Sequence, residues 1–318
     1  VKAIEKSKII SLFQRLKVMK GFILLETPRE KLTKDHYGTQ RLLEVAEKRN
    51  LDFQLISPRQ FELIVTRDDK KSILIDDKPV ELPDVVIPRM GSDTSYYALA
   101  ILRQLEHLGV YVCNNARAVE TVKDKLHSHQ VLAYSSLPTP KTMLAKFPIE
   151  LSVIRREIGF PLVIKNITGT HGKGIYLCDS EEKFTDVMEF IYSQNANANI
   201  IIQEFMEASR GKDLRVFVLG GRVIGCMLRS SKTSFKANFS KGGDVHKFDL
   251  TPEIEWLATE TARLLNLDIA GIDLLFDKKG YKVCEANSAP GFQGLEKIVG
   301  KRIAEDIMDY IQLKVGKS

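Results

Sequence analysis

The sequence predicts a mixed α/β protein: a small open α/β domain with a largely parallel sheet, followed by two α+β units. Three observations carry this. Strand-type and helix-type patterns alternate through residues 20–115, as they do where helices connect parallel strands. Pro138 and Pro140 then punctuate the chain, marking a boundary. The 318 residues are 44% hydrophobic and 28% charged, ordinary globular composition. At roughly 150 residues per domain this is about two domains of chain, enough to bury a core without disulfide staples.

In order, strands are expected at 22–25, 53–56, 84–87 and 110–113, with helices at 36–50 and 96–108. Segments 72–75 and 80–82 flank Asp76-Asp77-Lys78-Pro79 as a β-hairpin insert. A helix follows at 123–134. Beyond the prolines come a strand (141–144), a helix (149–158), a strand (161–166), a Gly-rich turn, a strand (174–178) and a helix (181–193). The third unit is expected to open with a strand at 200–204. Strands at 214–219 and 223–228, a helix at 252–265, two strands around Lys278-Lys279-Gly280 and a helix at 301–314 complete it.

Composition narrows the function classes. No apolar run nears the ~18 residues of a membrane helix. Cys113, Cys178, Cys226 and Cys284 are too scattered for a metal-ligand set and read as reduced packing thiols of a cytosolic protein. Trp256 and the other aromatics are expected in the core. The net charge is +6, of which residues 1–18 carry +4 through Lys2, Lys6, Lys8, Arg15 and Lys17 against Glu5. The body is therefore not a strongly basic nucleic-acid binder. Residues 1–18 are too weakly apolar for a signal peptide and are expected to be a basic leader, disordered or appended.

Three segments bear chemistry. Residues 270–287 read as a β-hairpin. A three-residue connection with Gly280 left-handed would pair Asp277 with Tyr281 and Asp273 with Glu285, and Asn287 would share their face. Such hard oxygen donors suit Mg²⁺ shared with nucleotide phosphates; the same alternation also describes the solvated face of an amphipathic hairpin. The strand ending in Lys165, then Thr168-Gly169-Thr170-His171-Gly172-Lys173-Gly174, offers backbone N–H groups and a point charge to phosphates. It lacks P-loop spacing and is equally an ordinary tight turn. In Gln203-Glu204-Phe205-Met206, backbone groups and the Phe205 and Met206 side chains could take an adenine, and Asp213 a ribose hydroxyl; an interdomain linker with a surface ion pair reads the same way. Arg89 could hold a substrate carboxylate.

Together these segments resemble the RimK-type branch of the ATP-grasp ligases. The resemblance rests on Pro88-Arg89-Met90-Gly91, Asp124-Lys125-Leu126, Gln203-Glu204-Phe205, Gly211-Lys212-Asp213-Leu214-Arg215, Asn238 with Gly242-Gly243, Gly271-Ile272-Asp273 and Glu285-Ala286-Asn287-Ser288-Ala289-Pro290-Gly291. It covers about residues 19–315. It implies a pre-ATP-grasp α/β domain (19–122), a central lobe with the Gly-rich loop (123–199) and a C-terminal lobe with the metal site (200–318), the two lobes clasping ATP. It implies an ADP-forming ligase that joins glutamate or a similar amino acid to a carboxylate of a protein tail or small molecule through an acyl phosphate. A non-ligating ATP-binding module and a small-molecule kinase use the same fold.

For site residues the resemblance implies Lys125, Lys165, Gly172 and Gly174 at the ATP phosphates, Glu204, Phe205 and Met206 at adenine, and Asp213 at the ribose. It implies Asp273, Glu285 and Asn287 on two Mg²⁺ or Mn²⁺ ions, and Arg229 on the transferring phosphoryl group or the acyl phosphate. Lys236, Ala237 and Asn238 would line the phosphate and acyl end, and Arg89 and Arg215 would face substrate. Neither nucleic acid nor membrane is implied as a partner, and a homo-oligomer is hinted at. The sequence departs from the family at Lys236, where arginine is usual; a lysine lacks arginine's two-pronged fork.

Overall fold

The computed structural model describes residues 18–66, 72–167, 174–237, 243–300 and 302–316. Gly172, Asn238 and the basic leader except Val18 lie outside the described residues.

The first sheet is parallel throughout. It contains β1 (Lys20–Leu24) and β2 (Asp52–Ile56), linked by α1 (Tyr37–Lys48). A small antiparallel sheet follows: β3 (Phe61–Leu63), β4 (Ile73–Ile75) and β5 (Lys78–Pro79). The expected hairpin is thus three-stranded. Its turn is Asp76-Asp77, both at positive φ (50° and 61°), a conformation aspartate tolerates. The last strand therefore starts at Lys78 rather than residue 80. β6 (Val85–Pro88), α2 (Tyr96–His107) and β7 (Tyr111–Val112) complete the domain, in strand order β2-β1-β6-β7.

The helix expected at 123–134 is α4 (Lys125–Tyr134), and a further helix that the sequence expectations lack, α3 (Ala116–Lys123), runs directly into it. Asp124 separates them in an extended conformation, and its Oδ1 accepts the His127 N–H at 2.9 Å. This N-cap places Lys125 at the first position of α4. The central sheet holds β8 (Thr142–Leu144), β9 (Leu162–Asn166), β10 (Ile175–Cys178) and β11 (Ile200–Glu204) in the order β10-β9-β11-β8. β11, expected to open the third unit, therefore hydrogen-bonds into the sheet of the second. Leu162, Ile164, Ile200 and Ile202 pack on α5 (Leu151–Glu157) and α6 (Glu181–Gln194) through Ile154, Phe184 and Met188. Alternation leaves Lys165 and Gln203 on the opposite face.

The third sheet is antiparallel: β12 (Lys212–Leu219), β13 (Arg222–Ser230), β14 (Asp244–Lys247), β15 (Ile269–Asp277) and β16 (Gly280–Asn287), in the order β14-β13-β12-β15-β16. One face, with Leu214, Val216, Ile272 and Leu274, packs on Ile254, Leu257 and Ala258 of α7 (Pro252–Leu264). Trp256 is not core as expected: it is 54% exposed, one position off the buried stripe of α7. The other face is divided. Phe217, Leu219 and Met227 are covered by Phe292, by Leu295 of α8 (Gln293–Val299), by Ile307 and Ile311 of α9 (Ile303–Val315), and by Leu42 of α1. The remaining half carries Asp213, Arg215, Arg229, Asp273 and Glu285. β3, α3, β14 and α8 are absent from the sequence expectations; all are short, and pattern alone is weak over so few residues.

Asn114 joins the first sheet to this one. It is fully buried; its Nδ2 donates to the Ile269 and Ser288 carbonyls (2.7 and 2.6 Å) and its Oδ1 accepts the Ile269 N–H (2.8 Å). Among the described residues no helix is long and apolar enough to cross a membrane. Asn114→Ala strands three buried backbone groups and should cost about 3 kcal/mol, measured as a lowered denaturation midpoint. An unchanged midpoint would show that this tie is not stabilising.

Candidate active site

The site grows from the β15–β16 hairpin. Its turn is Lys278-Lys279, with Asp277 opposite Gly280. This corrects the expected three-residue connection: Phe276, not Asp277, faces Tyr281, and Gly280 has a positive φ of 134°, well beyond the αL value expected. Carried straight back, this register would set Asp273 opposite Cys284. A bulge at Cys284 absorbs one residue, and beyond it Asp273 faces Glu285 while Asn287 faces Gly271. Such a bulge re-aims the side chains that follow it.

Strand pairing assembles the rest. Arg215 lies opposite Asp273, and Asp213 opposite Arg229. Arg215 grips Asp273 with two donors, Nε to Oδ1 and Nη2 to Oδ2 (2.8 Å for the latter). Arg229 grips Asp213 in the same way (2.7 and 2.8 Å), and its Nη2 also lies 2.9 Å from Asp273 Oδ2. Two cations and two anions thus form one neutral mesh, buried at Arg229 and Asp273 and half-buried at Asp213 and Arg215. Burial opposes ionisation of Asp273, but Arg215 and Arg229 outweigh it and hold the carboxyl below its usual range. Gly271 makes room: a Cβ there would stand 2.6 Å from Pro290 Cβ and 3.2 Å from Arg215 Nη1.

Two buried lysines from the central part face this hairpin. Lys125 Nζ is 3.8 Å from Glu285 Oε1. Lys165 Nζ donates to Gln203 Oε1 at 2.6 Å and lies 3.6 Å from Cys284 Sγ. Asn287 Nδ2 donates to the Gly271 carbonyl at 3.3 Å. Glu204, at the end of β11, accepts from the Lys141 N–H (2.8 Å) and from Lys282 Nζ, while its own N–H donates to the Lys141 carbonyl (2.9 Å). Met206 is buried, and its carbonyl accepts the Ser209 N–H at 2.9 Å. Phe205 lies edge-on to Phe235, with the Arg210 guanidinium 4.6 Å over its ring.

The connector after β13 closes one side. Gly211 (φ 68°) donates to the Phe235 carbonyl and accepts the Ser231 N–H (3.1 and 2.8 Å). This ties down the segment carrying Lys236, whose Nζ lies 5.3 Å over the Phe235 ring, and the buried Ala237. Gly174 (φ 70°) leads into β10. Arg89 stands apart, just beyond the carboxyl end of β6. Its Nη2 donates to the Pro290 carbonyl (3.0 Å) and its guanidinium lies 5.9 Å from the Phe292 centroid, but its Nε is buried without a partner. Among the described residues no carboxylate pairs with it, and burial pulls its pKa down to about 10.

Residues 122–311 match the RimK-like ATP-grasp domain, and residues 31–119 match the RimK pre-ATP-grasp domain. The chain belongs to the RimK-like ATP-grasp family. Members of this family are ADP-forming ligases that join a carboxylate to an amine, using ATP and Mg²⁺. A probable alpha-L-glutamate ligase of Methanococcoides burtonii is 37% identical over 89% of this chain and 94% of its own. One from Legionella pneumophila is 36% identical over 87% and 92%. Among solved structures, a RimK domain ATP-grasp protein of Sphaerobacter thermophilus superposes with a TM-score of 0.71 at 17% identity, covering 92% of this chain and 98% of that one. D-alanine–D-alanine ligase of Bacillus anthracis gives 0.69 at 13% identity, covering 94% and 98%. Both show a shared fold.

In this ATP-grasp chain the structure gathers Lys125, Lys165, Arg215, Arg229, Asp213, Asp273, Glu285 and Asn287 about one cleft face. Arg89 lies on the far side of the loop that follows β16. Sequence reasoning missed two buried polar residues beside the lysines. Gln203 has no assigned role in the sequence although it sits in a quoted motif, and nothing in the sequence pattern distinguishes His129. Only sheet register, with Gln203 opposite Thr142 and two pairs along from Lys165, on the same face, marks them out.

The Gly211 turn makes a test. A Cβ there would meet the Ser231 carbonyl oxygen at 2.7 Å. Gly211→Ala should cost about 2 kcal/mol. Gly211→Asn, whose side chain tolerates positive φ, should do no better, because Cβ itself collides. Chemical denaturation measures both; a well-tolerated Asn would leave backbone conformation as the sole constraint.

Proposed function

We propose that this chain adds glutamate, or a similar amino acid, to a carboxylate of a protein tail or small molecule in the cytoplasm, through an acyl phosphate. The observation that carries the reading is the convergence of two buried lysines, two arginines and the Asp273–Glu285 pair on one cleft face. Charge develops on phosphoryl oxygens during transfer, and preorganised cations in a dry site stabilise it most effectively.

Lys125 and Lys165 would hold ATP phosphates, with Gly172 and Gly174 of the intervening loop. Glu204, Phe205 and Met206 would border adenine. The Glu204 N–H is already engaged by Lys141, so recognition there falls to the remaining backbone groups and the apolar side chains. Asp213 would take the ribose, and Arg229 the transferring phosphoryl group. Both assignments need the Arg229–Asp213 fork to open, and a triphosphate brings the replacement anion. Lys236, Ala237 and Asn238 would line the acyl end, with Arg215 facing substrate.

The donor set fits magnesium. Directly paired strand residues stand about 5 Å apart at Cβ, so Asp273 and Glu285 present hard oxygens side by side, with Asn287 beyond them. These three would hold two Mg²⁺ or Mn²⁺ ions, which when bound neutralise phosphate charge. The acceptor carboxylate oxygen attacks the terminal phosphorus and ADP leaves. The amine then attacks the acyl carbon, phosphate leaves, and the nitrogen gives up its proton to solvent. Arg89, a half-buried cation with a buried, unmet Nε donor, would fix a carboxylate of the amino acid. The division 19–122, 123–199 and 200–318 belongs to this reading, with β11 reassigned to the central lobe.

An ADP-release screen of amino acids against acidic acceptors, with mass spectrometry of products, tests the proposal; glutamate should give an amide product and ADP together. Glu285→Gln should lower turnover by about 100-fold in a folded protein, and near-normal ADP release would remove the metal role. Arg89→Leu should raise the amino-acid KM about tenfold while leaving the KM for ATP little changed. Equal effects on both would count against a carboxylate subsite.

A further inference from the structure

We propose that His129 is a positioning residue for nucleotide binding, acting through Gln203 to aim the Lys165 ammonium. The proposal rests on the reading that Lys165 contacts ATP phosphates. Lys165 Nζ donates to Gln203 Oε1 at 2.6 Å. That bond fixes which way the Gln203 amide points, since only its oxygen accepts from an ammonium. The amide nitrogen then turns to the other side, where it donates to Thr142 Oγ1 at 2.8 Å and meets His129 Nε2 at 3.2 Å. With a donor opposite it, Nε2 must be the acceptor, so the ring proton sits on Nδ1. Nδ1 is buried and turned toward the Cys284 backbone, the direction in which its proton points.

All three side chains of this chain of contacts, Lys165, Gln203 and His129, are buried. A lysine has four rotatable bonds and three equivalent donors, so its head wanders unless held. The Gln203 carbonyl holds it, and His129 and Thr142 hold Gln203. The imidazole must be neutral to accept, and its surroundings keep it so. Burial, then the Lys165 charge, with a smaller contribution from Lys125, pull its pKa down to about 4. A charged imidazole would turn a donor against the amide nitrogen and add a third cation beside the two lysines.

The test uses the full chain, with MgATP as probe in a direct binding titration and thermal unfolding alongside. His129→Leu should weaken MgATP binding about tenfold with the unfolding midpoint nearly unchanged. Glutamine carries its amide oxygen near the place of the imidazole Nε2, so His129→Gln should bind within about threefold of the parent. Asparagine is too short to reach, and His129→Asn should resemble the leucine variant. Should His129→Leu fail to fold, the glutamine–asparagine contrast decides. Parental binding by His129→Leu, or equal binding by the glutamine and asparagine variants, would overturn the proposal. Lys165→Ala is the control: if it binds MgATP normally, the underlying reading of Lys165 fails. If it loses binding while His129→Leu does not, only the role of His129 fails.

Discussion

Everything in the cleft depends on four charges that cannot be buried singly. An isolated carboxylate or guanidinium in a protein interior costs several kcal/mol after relaxation. Asp213, Arg215, Arg229 and Asp273 avoid this only as a set. Each carboxylate is gripped by two nitrogens of one arginine, and Arg229 bridges both acids. The set is neutral, so the sheet folds around it without a ligand. In the proposed function a divalent ion and a triphosphate would reorganise this mesh, since they bring the charges that free an arginine and replace it on Asp273.

The backbone devices around the mesh all serve alignment. The Cys284 bulge swings Glu285 opposite Asp273; without it that position would hold a thiol. Gly271 keeps clear the space that the Arg215 side chain crosses. Asp124 breaks what would be one helix and starts another at Lys125, so a lysine that would otherwise lie along a helix surface stands at a helix start against Glu285. Asn114 ties the start of β15 and the end of the 284–288 segment to the first sheet. The pre-ATP-grasp part is thereby fastened to the hairpin that carries the acids.

Much of the fold was legible in the sequence, because long elements have clear periods. The parallel first sheet, α1, α2, α7, β11 and the C-terminal hairpin all lie within a few residues of expectation. The exceptions have physical causes. β3, α3, β14 and α8 are too short for a pattern to register. β11 has the apolar run of any buried strand, and nothing in that run says which sheet it joins. The hairpin illustrates a cancellation: the turn is one residue shorter than expected and the bulge one residue longer, so Asp273 meets Glu285 by a different route. In the candidate site, alternation revealed which residues share a face, but not that arginines would occupy Asp273. His129 and Gln203 were hidden because their significance is a contact between a helix and a sheet. Trp256 shows the converse, an apolar residue beside the buried stripe that lies half in solvent.

The central claim is that the Asp273–Glu285 face receives the metal–nucleotide complex by displacing its resident arginines. Crystals grown with Mn²⁺ and a non-hydrolysable ATP analogue test this most directly, through the anomalous signal of manganese. The account predicts manganese peaks between the Asp273 and Glu285 carboxylates and beside Asn287, with at least one of Arg215 and Arg229 turned from Asp273 toward the phosphates. Manganese bound elsewhere, with both guanidinium groups still closed on Asp273 and the nucleotide away from Lys125 and Lys165, would contradict it.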